Sequence, residues 1–225
     1  MHDRPLRIAF AGTPDFAAPC LRALLDAGHD TVAVFTQPDR PAGRGRRPQP
    51  PPVKQVAQEA GVPVYQPERL SRADLESAAG PAGLDLFVVV AFGQILPADV
   101  LDFPRLGALN VHASLLPRWR GAAPIARALL AGDEETGVSV IRMTPAMDAG
   151  PVLLESRCTV AADETAGSLH DRLAVLGADA LASVLRAPEA CIAAARPQDP
   201  AGVTLAPKLS RAEGRIDWTR PAAEI

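Results

Sequence analysis

The segment Leu84-Asp85-Leu86-Phe87-Val88-Val89-Val90-Ala91-Phe92 constrains the fold more than any other stretch of the chain. It is apolar at odd and even positions alike, so as a strand it needs cover on both faces. A strand of that kind belongs in the middle of a parallel sheet, with helices packed above and below. The flanking sequence supplies the other parts. Leu6 to Gly12 reads as a strand, followed by Thr13-Pro14-Asp15 and an Ala/Leu-rich helix ending near Gly28. Thr31 to Thr36 is a second strand, Val53 to Ala60 a helix and Val62 to Tyr65 a short third strand. A weak helix follows from Ser71, a possible N-cap, to Ala79. After the central strand come a short helix near Ala98 to Leu101 and a strand from Leu106 to Val111. Ala122 to Ala131 is helix, Gly137 to Met143 and Val152 to Val160 are strands, and Thr165 to Leu185 is a long amphipathic helix. Strands alternating with helices in this way predict a Rossmann-like α/β fold with a mostly parallel sheet.

Two familiar phosphate-binding signatures are missing. The turn after the first strand, Gly12-Thr13-Pro14-Asp15-Phe16, lacks the glycines of GxGxxG that let backbone approach a pyrophosphate, and no GxxxxGK[ST] loop occurs. With 225 residues the chain can form one large domain, or one domain plus a remnant. A hydrophobic content of 48% with 22% charged residues predicts a globular core rather than disorder. The net charge of -3 exerts no global pull on a polyanion, so any nucleic-acid site must be a local patch. Cys20, Cys158 and Cys191 are odd in number and far apart, which argues against disulfides and structural zinc and suits a reducing cytoplasm. No apolar run reaches the roughly 18 residues of a membrane span. The first residues, Met1 to Pro5, do not read as a signal peptide.

One segment opposes the net charge. From Gln37 to Lys54 the chain holds Arg40, Arg44, Arg46, Arg47 and Lys54 against Asp39 alone, a local charge of +4. Its prolines and glycines predict an exposed loop without regular structure, long for a strand-to-helix connection. Most runs of this kind are solvated linkers. The functional alternative is a finger that lies against a nucleic-acid backbone, because the forked donors of arginine suit phosphate.

In a parallel α/β sheet, ligands bind beyond the carboxyl ends of the strands. Three polar or glycine-bearing loops are placed there by this reading: after Phe92, after His112 and at Asp148. Strand alternation points Asn110 and His112 to one face and Val111 to the other. Asn, His and Asp together suit acyl-type transfer: the amide donates to a developing oxyanion, the imidazole donates or shuttles a proton, and the carboxylate orients the imidazole. Taken singly, each of the three is more often structural, and Asp-Ala-Gly is ordinary turn chemistry. No GxSxG elbow and no loop cysteine offers a nucleophile.

These residues carry a resemblance. From Ile8 to about Trp218 the chain resembles the methionyl-tRNA formyltransferases, within the formyltetrahydrofolate-dependent formyltransferases. Asn110, His112 and Asp148 match the family's Asn-x-His…Asp catalytic set. Ser114-Leu115-Leu116-Pro117 matches its folate-contact motif, and Phe92-Gly93-Gln94-Ile95-Leu96-Pro97 the loop beside the pterin pocket. The insert Pro38 to Gly45, the preceding Gly12 to Phe16, and Arg118 to Pro124 favour the tRNA enzymes over relatives that act on other amines. The resemblance implies a Rossmann-like formyltransferase fold with a central, mostly parallel sheet flanked by helices. It implies transfer of formyl from 10-formyltetrahydrofolate to the α-amino group of initiator methionyl-tRNA, in the cytoplasm, by a monomer, with no metal and no membrane. Arg40, Arg44, Arg46 and Arg47 would meet the tRNA, Arg44 standing at the family's key arginine. It also implies a catalytic domain over 1–189, followed over 190–225 by a linker and the start of a C-terminal tRNA-binding β-barrel domain. The rival readings are a formyltransferase for an amino-sugar nucleotide or other small amine, and a folate- or tRNA-binding fragment without catalysis.

Overall fold

A computed structural model describes residues 5–42 and 47–223. In chain order the elements are β1 (Arg7–Gly12), α1 (Ala17–Asp26), β2 (Asp30–Phe35), β3 (Arg40–Ala42), β4 (Arg47–Gln49), α2 (Pro52–Glu59), β5 (Val64–Tyr65), α3 (Arg72–Ala79), β6 (Leu86–Val90), α4 (Ala98–Leu101) and β7 (Ala108–His112). The second half adds β8 (Arg120–Gly121), α5 (Pro124–Leu130), β9 (Glu135–Arg142), β10 (Val152–Thr159), α6 (Ala166–Leu185), α7 (Pro188–Ala193) and β11 (Leu205–Ala206).

The central sheet runs β10-β9-β7-β6-β1-β2-β5. From β7 to β5 every pairing is parallel, whereas β9 is antiparallel to both β7 and β10. Strand β6, apolar on both faces, lies between β1 and β7, and all five of its residues are buried. On one face Ile8, Phe10, Val34, Val88, Leu109, Val111 and Val140 pack with α1, α2 and α6. On the other, Ala9, Ala11, Phe35, Phe87, Val89 and Ala108 pack with residues of α3 and α4. The order of the strands reverses at β1, since β2 and β5 lie to one side of it and β6 and β7 to the other.

The helices follow from local signals. In α1, Ala17, Cys20, Leu21 and Leu24 are buried, a stripe with helical period. Burial pushes the Cys20 thiol up to about 12, which makes it an inert core residue. Ser71 caps α3, and its Oγ and the Asp74 carboxylate form a reciprocal capping box; Thr165 and Ser168 do the same for α6. At Gly12, an added Cβ would stand 2.7 Å from Phe10 Cε1 and 2.9 Å from the Val90 carbonyl oxygen. Glycine there serves the close packing of strand and helix, with no pyrophosphate needed to explain it.

The segment after β2 departs from the irregular loop that its composition predicts. Arg40–Ala42 and Arg47–Gln49 form a two-stranded antiparallel ladder in which Pro41 faces Pro48. Proline lacks an N–H and is tolerated at sheet edges and at positions that do not donate to a neighbour. Two prolines opposite one another therefore leave the Arg40–Gln49 and Ala42–Arg47 pairs free to bond. Lys54 is neutralised by Asp39 at 2.8 Å, with Gln66 beside both, and these donors hold the Asp39 carboxyl below its usual range. Arg40, by contrast, is exposed. Arg44 and Arg46 lie outside the described residues.

Candidate active site

Strand β7 divides the site from the core. Leu109 and Val111 are buried against α6 and β9, so period two sends Asn110 and His112 to the opposite face. Gly177 of α6 lies over Val111, where a Cβ would stand 3.0 Å from Val111 Cγ1. Ser139 and Ile141 of β9 are register partners of His112 and Asn110.

Asp148 joins Asn110 and His112 by a route the sequence reading did not anticipate. Because β9 is antiparallel to β7, its carboxyl end at Arg142 pairs with Leu109, toward the amino end of β7. The loop at Asp148 therefore does not leave the same edge of the sheet as the loops after Phe92 and His112. Residues 143–151 run back over the polar face of β7, which brings Asp148 to the two side chains. Asn110 Nδ2 donates to Asp148 Oδ1 at 3.3 Å, and His112 Nδ1 lies 3.6 Å from Asp148 Oδ2. The Gly121 N–H donates to Asp148 Oδ2 at 2.9 Å. The His112 and Asp148 side chains are only 7% and 17% exposed, so water screens their interaction weakly. His112 Nε2 faces the Trp119 carbonyl oxygen at 2.8 Å, so that nitrogen carries a hydrogen. Both ring nitrogens face oxygen atoms, Nε2 the Trp119 carbonyl and Nδ1 the Asp148 carboxylate.

The loop after His112 folds back under its own hydrogen bonds. Ser139 Oγ accepts from the Leu116 N–H at 3.0 Å and donates to the Ser114 carbonyl at 2.8 Å. Ser114 Oγ donates to the Arg118 carbonyl at 2.6 Å, and Leu116 packs with Ile141 and Val152. Ser114 and Leu116 are thus inside the protein, where they shape the loop, while Leu115 and Pro117 keep accessible surface. Asp133 then brackets the loop's far end. Its carboxylate accepts from Arg118 at 2.6 and 3.0 Å and from Trp119 Nε1 at 2.7 Å, and Arg118 lies over the indole ring. Arg118, and less strongly Trp119, hold the Asp133 carboxyl below its usual range against the opposing effect of desolvation.

The loop after β6 closes the other side. Gln94 accepts from the Leu70 N–H and donates to the Pro67 and Glu68 carbonyls. That anchoring buries Phe92 and Leu96 and leaves Gly93 and Pro97 exposed, with Ile95 96% exposed as an apolar wall. Thr13 and Gln37 both donate to the Phe92 carbonyl, joining the ends of β1, β2 and β6. Beside this junction, Thr13, Pro14, Gln37, Pro38, Arg40, Gln49 and the prolines at 50–52 line an open cavity of about 290 Å³. Arg40 therefore borders the crevice. Arg47 begins β4 in the same hairpin. Ala91, Trp119 and Asp148, with φ of 45°, 65° and 48°, are the non-glycine residues with positive φ among those described, and each lies in one of these three loops. Such strain collects at functional sites, where the surroundings hold it in place.

Comparison with known proteins decides the family. The formyl transferase profile matches residues 6–185. A methionyl-tRNA formyltransferase from Halorhodospira halophila is 58% identical over 97% of this chain and 70% of its own length. One from Idiomarina loihiensis is 54% identical over 98% of this chain and 70% of its own. The chain belongs to the methionyl-tRNA formyltransferase family. An N-formyltransferase from Helicobacter canadensis, solved with folinic acid and dTDP-3-aminofucose, shares the fold at a TM-score of 0.70 and 17% identity, over 97% of this chain and 77% of that one. The chain spans about 70% of the length of the curated formyltransferases it matches.

Some formyltransferase residues at the site carry no signal in the sequence. Gln198 donates to the Asp148 and Gly150 carbonyls, and Thr204 Oγ1 accepts from the Trp119 N–H. Both lie in the Pro/Ala-rich stretch after Arg186, which shows no periodicity. Among the described residues no group of three or more His, Cys, Asp or Glu is placed to hold a metal, and no helix is long and apolar enough to cross a membrane. Ser139 is the buried hinge of the loop after His112. Ser139→Ala should leave the Leu116 N–H and the Ser114 carbonyl unpaired in the interior and cost about 1–3 kcal/mol. Faster amide exchange at Leu116, with exchange in β6 unchanged, is the expected result; wild-type protection at Leu116 would contradict it.

Proposed function

We propose that the chain transfers the formyl group of 10-formyltetrahydrofolate to the α-amino group of methionine carried on initiator tRNA, giving formylmethionyl-tRNA. The observation that carries this reading is the convergence of Asn110, His112 and Asp148 on one solvent-reachable face, in a chain 54–58% identical to methionyl-tRNA formyltransferases. An exposed apolar loop together with a polar strand face suits a flat, largely apolar donor that carries a polar formyl group. Ile95 stands exposed in the loop after β6, and the half-buried Asn110 amide and Asp148 carboxylate gather with the buried His112 imidazole on the polar face of β7.

The residues divide the work as follows. An α-amino group titrates near pH ~8, so an appreciable neutral fraction is available to attack the formyl carbon. Asn110 has a second amide N–H besides the one given to Asp148, and it donates to the oxygen as negative charge develops there. His112 supports the same charge once its Nε2–H turns from the Trp119 carbonyl to the developing oxyanion. Asp148 orients the imidazole and, through water, takes the proton that the amine loses; that proton passes to N10 as the formyl C–N10 bond breaks and tetrahydrofolate leaves. Loop residues 93–97 and 114–117 form the folate walls, Gln94, Ser114 and Leu116 by fixing backbone and Ile95, Leu115 and Pro117 by contact. Arg40, Arg44, Arg46 and Arg47 meet the phosphates of the acceptor end.

Two variants test these roles by following formylmethionyl-tRNA formation. Asn110→Ala should lower turnover by roughly two to three powers of ten, with substrate KM values little changed. Near-normal turnover with raised KM would move Asn110 to a binding role. Arg44→Ala should weaken tRNA affinity and flatten its salt dependence by about one unit of slope in log K against log salt. An unchanged slope with unaltered tRNA formylation would show that Arg44 does not meet a phosphate.

A further inference from the structure

Gln198 lies beyond residue 185, where the match to the family profile ends, yet it is bonded to both loops that build the site. Its amide makes four hydrogen bonds. Nε2 donates to the Asp148 carbonyl at 2.8 Å and to the Gly150 carbonyl at 2.7 Å. Oε1 accepts from Arg120 Nε at 3.0 Å and Nη2 at 2.7 Å. A primary amide has two N–H groups and two oxygen lone pairs, so all of its hydrogen-bonding capacity is used. Arginine has no acceptor, so it must face the amide oxygen, and this turns the NH2 toward the two carbonyls. A carboxylate here would keep Arg120 but set an oxygen against two carbonyl oxygens. An ammonium would keep the carbonyls but repel Arg120. Of these groups only the amide suits both sides.

The surroundings hold this group firmly. Arg196 and Val152 exchange N–H···O bonds of 2.8 and 2.9 Å, tying the segment to the start of β10 two residues before Gln198. Farther along, β11 pairs in parallel with β8, and the Thr204 carbonyl accepts from the Arg120 N–H at 2.9 Å. The Asp148 loop has little freedom of its own: Asp148 sits at φ 48°, and a Cβ on Gly150 would overlap the Arg142 carbonyl oxygen.

We infer that Gln198 is a positioning residue for the transfer reaction: with Arg120 it latches the loop carrying Asp148 onto the loop that follows His112. The inference rests on the catalytic reading of Asp148 given above. The latch grips the backbone of Asp148 and leaves its carboxylate facing Asn110 and His112. Losing it lets the strained residue relax and moves the carboxylate, while the folate walls at 93–97 and the arginine hairpin stay in place.

The test uses the 225-residue chain and measures kcat and KM for formyl transfer from 10-formyltetrahydrofolate to methionyl-tRNA. The variants are Gln198→Glu, Gln198→Met, Asp148→Asn and the double variant Q198E/D148N, with melting temperature followed for each. Gln198→Glu keeps its pairing with Arg120, so the segment should remain docked and the melting temperature close to wild type. Both single Gln198 variants should lose about ten- to a hundredfold in kcat, the scale of an ångström-sized misplacement, with both KM values within about twofold. In the Asp148→Asn background, Q198E should cause no further loss, because both changes act through one carboxylate. Wild-type kcat in the Gln198 variants, or losses that multiply in the double variant, would overturn the latch and leave the catalytic reading of Asp148 intact. Wild-type kcat in Asp148→Asn alone would overturn that reading, and the latch with it.

Discussion

Everything at the site depends on the register of one strand. In β7 Leu109 and Val111 face the core while Asn110 and His112 face the opposite, polar side with Asp148, and a slip of one residue would exchange them. The register is secured from three directions. Parallel pairing to β6 fixes one edge and antiparallel pairing to β9 the other. On the apolar face, Gly177 lets α6 lie close over Val111. Burying those aliphatic side chains, at about 25 cal/mol per Å² of apolar surface, is the dominant force holding the strand. The hydrogen bonds of Asn110 and His112 are a consequence of that placement and contribute little to its cause.

The Asp148 loop is less strongly determined, and the structure compensates with specific contacts. An antiparallel β9 ends at the wrong edge of the sheet for a carboxylate meant for His112. The loop must double back, and it does so through a left-handed aspartate and a glycine with no room for a side chain. Positive φ at a non-glycine residue costs of the order of 1–3 kcal/mol. The Gly121 N–H on its carboxylate and Gln198 on its carbonyl hold the residue there. Trp119 shows the same pattern, at φ 65° with its N–H given to Thr204, its indole to Asp133 and its carbonyl facing His112. The segment from Arg196 to Ala206 thereby completes a site whose principal residues all come from the first 150 positions.

The parts of this arrangement governed by local periodicity were legible in the sequence. The central strand, the flanking helices, the Ser71 cap and the facing of Asn110 and His112 follow from hydrophobic spacing and side-chain geometry. Sequence alone did not reveal how β9 runs. Gly137 to Met143 reads the same in either direction, because strand sense depends on how the connections close in space. The hairpin at Arg40–Gln49 was hidden for a different reason: its prolines argue against a ladder until they are seen to face one another. Gln198, Thr204 and the β8–β11 pair make contacts across 48 to 85 positions of sequence from a stretch without periodicity. Their roles exist only in the folded chain. Ser114 and Leu116 belong to a recognisable motif, yet both are buried, Ser114 on the Arg118 carbonyl and Leu116 against Ile141 and Val152.

The central claim is that the polar face of β7, completed by Asp148, is where the formyl group is held. A crystal structure of the chain with folinic acid, a stable formyl-bearing folate, tests it most directly. The account predicts the pteridine ring between the loops at 93–97 and 114–117, with the formyl group against the face formed by Asn110, His112 and Asp148 and hydrogen-bonded to the Asn110 amide. A folate bound away from β7, or one lying in this crevice with its formyl group directed away from Asn110 and His112, would contradict it.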